Sequence, residues 1–277
     1  MTARAVVDRL RRTPAGRTAW RVVSGLIEIQ WVDRSLALAA QIFISVLPVI
    51  IAASVFSGWH TAADTLSDQF GFDAGRLGVT EAETSDPSFA AFGVLGLVMV
   101  LLSGTSFARA LGRVYGAVWS VPSMGPRDAW RWLAALVAVA LSVSLVAQTR
   151  GLSRLDYAGR PLALLGEVAV WTLVWAFAPY LLTKGALSGR LLWATGLLTA
   201  VGLTAVHVAG RILLPRITAN AQQHFGPLGL AFTSVSWLFV MSMVIVGAAA
   251  IIEAVADDDN PVGRYLRGSG GAPGTGS

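Results

Sequence analysis

Glu167, His207 and Arg211 are ionisable residues placed at or beside long apolar stretches, and their types and spacing bound the chemistry open to this chain. His207 and Arg211 are four residues apart, which puts them on one face of a helix, one turn from each other. A carboxylate, an imidazole and a guanidinium can pair as ions, share a proton, or hold a polar headgroup. The remaining histidines, His60 and His224, are scattered, with no HxH or Asp/His pair. Metal-assisted phosphodiester cleavage needs clustered His and carboxylate ligands, and the sequence offers none. There is no Walker loop, no GxSxG and no nucleophile elbow. Cysteine is absent, which excludes disulfides and thiolate metal sites. The expectation is a protein that is not an enzyme and carries no cofactor or metal.

The elements that must position these residues are membrane helices. Of 277 residues, 55% are hydrophobic and only 13% charged, against about 25% charged in a typical soluble domain. The charges are also clumped. None occurs from Leu36 to Ala63, Pro87 to Ala108, Leu133 to Thr149, Val168 to Thr183, Leu191 to Gly210, or Ile217 to Ile252. Runs of about 18 or more such residues are candidates to cross a bilayer. The expected fold is all-α: six transmembrane helices preceded by an N-terminal interfacial helix. The spans are placed at about 35–57, 89–107, 130–149, 162–183, 191–214 and 228–255, within a membrane domain of residues 19–255. Residues 1–18 read as a basic flexible arm and 256–277 as a flexible tail ending in GSGGAPGTGS. Within residues 19–32, Trp20, Val23, Ile27 and Trp31 fall near one helical face, as in a helix lying in the interface. The first 34 residues hold seven arginines and no apolar signal-peptide core, so the first span reads as an uncleaved signal anchor.

Six spans put both termini on one side. Lys and Arg on that side total 15, against 6 on the other, which places both termini in the cytoplasm of a bacterial plasma membrane. Basic residues in such a protein first report orientation and anionic headgroups, so the high pI of 10.4 implies no nucleic-acid partner. Arg109, Arg113, Arg127 and Arg131 cluster at the cytoplasmic face, where topology or anionic-lipid contact accounts for them. The loop 58–88 is extracytoplasmic, with six acids and one arginine, and is a candidate surface for a protein partner.

Pro48 interrupts the apolar run IFISVLPVII. In a soluble helix interior this costs about 3 kcal/mol. In a bilayer, neighbouring groups re-satisfy the freed carbonyl, here that of Ile44, and Ser45 stands next to it. A kinked span follows, serving helix contact or acting as a hinge.

The span SLALAAQIFISVLPVIIA resembles the first-span signature of the YihY/virulence factor BrkB family, which has also carried the label ribonuclease BN. The matching positions are Ser45 and Pro48 here, then Phe225, Gly226, Leu228, Gly229, Trp237 and Gly247 in the last span, with RALGRVYGAVW as a looser match. Where the family has aromatics before the serine motif, this chain has Ala40 and Gln41. Where it has an acid after the last glycine, this chain has Ala249, with Glu253 further on. The resemblance covers about residues 20–255 and implies the same span count and topology. It leans towards transport or flipping of a lipid or other envelope amphiphile. The alternative is a non-transporting scaffold or envelope-integrity factor, and an oligomeric channel is a third reading.

Within the spans, Glu167, His207 and Arg211 fall at similar depth in the outer half. They form a structural ion pair, a polar lining for a headgroup or proton, or separate snorkelling groups. Gln41 is an interhelical hydrogen-bonder or a further lining group. Ser45, Pro48, Gly226, Gly229 and Gly247 are candidate hinge positions. Trp171 and Trp175, one turn apart, read as packing or lipid contact. Ala134, Ala138 and Ser142, and likewise Ala205 and Ala209, read as small-residue seams for close helix contact.

Overall fold

The computed structural model describes residues 13–57, 87–122, 124–151, 159–258 and 261–267. Among these the chain is all helical, with no strand. The helices are α1 (Pro14–Glu28), α2 (Trp31–Ser57), α3 (Pro87–Val118), α4 (Ala129–Gly151), α5 (Gly159–Leu182), α6 (Gly189–Gly226), α7 (Leu228–Ala256) and α8 (Pro261–Arg267).

Local chemistry sets the ends. Thr13 caps α1 by accepting the Gly16 amide, with Pro14 in the first turn, where its missing N–H costs nothing. Ser188 caps α6 through the Leu191 amide. The last turn of α5 closes with the Gly185 amide on the Tyr180 carbonyl and the Lys184 amide on Leu181, a Schellman ending with Lys184 left-handed at φ 56°. Between α6 and α7 the break is one residue, Gly226 at φ 57° and ψ −139°, followed by Pro227, which cannot continue a helix.

Among the described residues three helices, α5, α6 and α7, are long and apolar enough to cross a membrane. Their outward residues agree. Trp130, Leu133, Val137, Leu141 and Leu145 form an exposed stripe on α4, and Trp193, Leu197 and Val201 another on α6. In water such faces would be an aggregation liability. Against lipid tails they are the expected surface, and the chain is a membrane protein.

Neighbouring helices run antiparallel. Gly104 meets Leu136 and Arg109 lies over Trp132 (α3–α4), Gly166 meets Thr149 (α4–α5), Gly196 meets Thr172 and Ala176 (α5–α6), and Gly202 meets Val244 (α6–α7). The core is Tyr115, Leu38, Leu111, Val146, Leu238 and Val246 with their neighbours.

Several boundaries differ from the sequence reading. The basic arm is shorter than 1–18, because the Thr13 cap starts a helix at Pro14. Trp31 leaves the Trp20–Val23–Ile27 face: the turn at Gln30 (φ 53°) restarts the chain as α2, and the Trp31 indole donates to the Met243 carbonyl at 3.0 Å. The segment after the second span continues α3 as helix to Val118. The fifth expected span, α6, runs 12 residues past its expected end at Leu214, to Gly226. The tail is not wholly flexible. Pro261 starts α8, whose Leu266 carbonyl accepts from Ser188 and whose Tyr265 carbonyl accepts from Arg190. Residues 58–86 and 268–277, and with them almost all of the acidic loop and the glycine-rich end, lie outside the described residues.

Candidate functional site

The α5–α6 pair builds the site. α5 carries Glu167 and Trp171 one turn apart, and α6 carries Thr204, His207 and Arg211. Gly196 lets the two backbones approach closely: a Cβ there would stand 2.6 Å from the Thr172 carbonyl oxygen. This closeness brings the facing side chains into reach.

Glu167 is buried, at 2% exposure. Its Oε1 lies 3.5 Å from Nδ1 of His207 and its Oε2 lies 3.5 Å from a terminal nitrogen of Arg211. Those separations exceed a fitted N–H···O bond of about 2.7–3.2 Å. His207 is also buried, and its ring stacks on Trp171, with centroids 6.1 Å apart and planes inclined by 29°. Arg211 differs. Its side chain is 57% exposed, on the outward flank of α6. One buried carboxylate thus joins a buried imidazole to a guanidinium that reaches the surface of the bundle.

Gln41 lies on α2. Among the described residues α2 packs on α3 and on the α6–α7 run, not on α5. The Gln41 carbonyl accepts the Ser45 hydroxyl at 2.8 Å, so that hydroxyl serves the turn below Pro48 rather than the Ile44 carbonyl. Helix α2 continues through Pro48. Of the three glycines expected as hinges, Gly226 alone leaves helical geometry. Gly229 is a close-approach position, where a Cβ would meet the Ala221 carbonyl oxygen at 2.2 Å. Gly247 accommodates the Trp31 indole, with Nε1 3.3 Å from its Cβ position. The small-residue seam of α6 is Gly196, Gly202 and Gly210, whereas Ala205 is exposed. Glycines at those steps were the missed signal.

The four arginines divide. Arg131 donates to the Leu181 carbonyl at 3.3 Å and sits over the Trp130 ring, and Arg109 sits over Trp132. Arg113 and Arg127 are exposed. Among the described residues no group of His, Asp and Glu side chains could hold a metal ion.

No protein-family model, curated protein or solved structure matches the chain.

Proposed function

We propose that the chain is a six-span protein of the YihY/BrkB type in a bacterial plasma membrane, with both termini cytoplasmic, and that it moves a lipid or another envelope amphiphile. The observation that carries this reading is the Glu167–His207–Arg211 group. A charged side chain at membrane depth is costly and faces a partner, a cavity or a path. Here the buried carboxylate holds one end of the group while the half-exposed guanidinium faces outward, where a phosphate headgroup would pass. Glu167 and an incoming anionic headgroup would compete for the same guanidinium, so binding one loosens the other. Such exchange gives a headgroup a stepping point between leaflets. The six helices from α2 to α7 span 23 to 38 residues, or about 35–57 Å at 1.5 Å per residue, each enough for a hydrocarbon core of about 30 Å.

The test is reconstitution into liposomes with a fluorescent anionic phospholipid and dithionite quenching. Wild type should expose inner-leaflet label faster than empty liposomes, and Arg211→Ala and Glu167→Gln should each lose most of that excess. Full flipping in both variants would remove the role assigned to the group. Equal quenching of wild-type and empty liposomes would remove lipid movement.

A further inference from the structure

The exposed face of α3 changes character along its length. Val98, Leu101 and Leu102 are exposed, and so are Arg109 and Arg113, one turn apart. From Leu102 to Arg109 the rise is about 10 Å at 1.5 Å per residue, so apolar surface gives way to positive charge over about two turns. Helix α4 changes at the same level. The Arg109 guanidinium lies over the Trp132 ring, 5.7 Å from its centroid, and exposed Leu133, Val137 and Leu141 run away from there.

The two exposed faces adjoin. Helices α3 and α4 touch where Gly104 meets Leu136. At about 100° per residue, Leu101 and Thr105 stand about 60° and 100° round α3 from Gly104, and Leu133 and Val137 stand about 60° and 100° round α4 from Leu136. In antiparallel neighbours equal rotations turn to the same side. Those four side chains therefore flank one groove on the outside of the bundle, and Arg109, four residues beyond Thr105, stands at its end.

Most basic groups in the bundle are already engaged. Arg21 meets Asp258, Lys184 and Arg131 share Asp128, Arg190 donates to the Tyr265 carbonyl, and Arg211 faces Glu167. Among the described residues Arg109 and Arg113 are in no ion pair. Trp132 braces Arg109 through its ring face, which leaves the guanidinium donors to the outside.

We infer that Arg109 and Arg113, with the α3–α4 groove, form a binding site for one anionic phospholipid. The two guanidiniums donate to the phosphate oxygens, as guanidinium forks do to phosphate. An acyl chain lies along Leu101, Leu133 and Val137. Two unpaired positive charges favour a headgroup with net negative charge over a zwitterionic one. The apolar groove favours a lipid over a free anion. The remaining members of the cationic cluster do not hold this ligand: Arg131 is turned to Asp128 and the Leu181 carbonyl. Binding here goes beyond lipid movement and does not require it.

The test uses the full chain, purified in mild detergent and read by native mass spectrometry. Wild type should retain one phosphatidylglycerol in preference to phosphatidylcholine. Arg109→Ala/Arg113→Ala should hold phosphatidylglycerol at least about tenfold more weakly. Arg264→Ala, which removes an exposed arginine of α8, should match wild type. A second measurement needs no variant: phosphatidylglycerol with a photoreactive acyl chain, in liposomes with wild-type protein, should crosslink mainly to residues 101–105 and 133–137. Equal retention of the two lipids, a double variant that matches wild type, or crosslinks spread evenly over the exposed stripes of α4 and α6 would each overturn the site. Displacement of the lipid by equimolar inorganic phosphate would make the ligand a free anion and overturn it too. Flipping by wild type without preferential retention would sink this site alone, and preferential retention without flipping would sink lipid movement alone.

Discussion

Lys184 holds a left-handed backbone at the end of α5, and from there its ammonium reaches the Asp128 carboxylate at 2.6 Å. Arg131 lies 3.9 Å from the same carboxylate and donates to the Leu181 carbonyl. The knot fastens the start of α4 to the end of α5, outside the apolar core. The Lys184 hydrogen bond, with the charges of Lys184 and Arg131, holds the Asp128 carboxyl below its ordinary value of 3.8. A lowered folded value means the ionised form favours the fold. Its contribution is complete above about pH 4 and fades as pH falls through the folded value. Thermal unfolding in detergent should therefore show wild type above Asp128→Asn at pH 7, with the gap narrowing below pH 4. A gap independent of pH would mean the carboxylate charge is not what fastens the knot. In the sequence Asp128 and Lys184 are 56 residues apart, and no spacing rule joins them. The His207–Arg211 step was legible, because four residues on a helix always share a face.

At the scale of the element, glycines separate two roles that look alike in the sequence. Gly25 lies inside α1 with nothing within 4 Å of a Cβ position, whereas a Cβ on Gly196 would stand 2.6 Å from the Thr172 oxygen and 2.8 Å from the Ala176 amide nitrogen. Gly25→Ala should stabilise by about 0.5–1 kcal/mol, through reduced freedom of the unfolded chain and better helix propensity. Gly196→Ala should destabilise by about 1–3 kcal/mol, because backbone atoms cannot yield as a side chain does. Melting temperatures of the two variants in one detergent should move in opposite directions. A Gly196→Ala protein as stable as wild type would show that α5 and α6 are further apart than described. The spans themselves were readable as uncharged runs, since hydropathy requires no knowledge of neighbours. Their ends were not. The extension of α6 to Gly226 carries Arg216, Asn220, Gln222, Gln223 and His224, which read as loop by polarity. They stay helical because Gly229 lets the start of α7 lie against Ala221.

At the scale of the whole molecule, the first described helix meets the end of α7. Thr18 hydrogen-bonds to Asp258, and Arg21 lies 3.3 Å from Asp258 and 3.9 Å from Asp257. Helix α1 is thus tied to the end of α7, while Trp20, Val23 and Ile27 point outward as an exposed apolar face suited to an interface. The absence of native cysteine makes the topology directly measurable. Single cysteines at Ala5, Thr80 and Ser269, probed with a membrane-impermeant maleimide on intact spheroplasts, should react at Thr80→Cys and stay protected at the other two until lysis. Labelling of Ala5→Cys or Ser269→Cys in intact spheroplasts would refute cytoplasmic termini.

The sequence alone pointed to a helical membrane protein, because unbroken uncharged runs of about 18 or more residues, without the alternation of barrel strands, satisfy their backbone in lipid as helices. It also offered Glu167, His207 and Arg211 as groups out of place in apolar surroundings. Only the tertiary structure decided that one carboxylate lies against both His207 and Arg211, and that Trp171 stacks on His207. Those outcomes depend on helix register and crossing, which glycine contacts fix. Such contacts form between residues distant in the chain, where local periodicity carries no information.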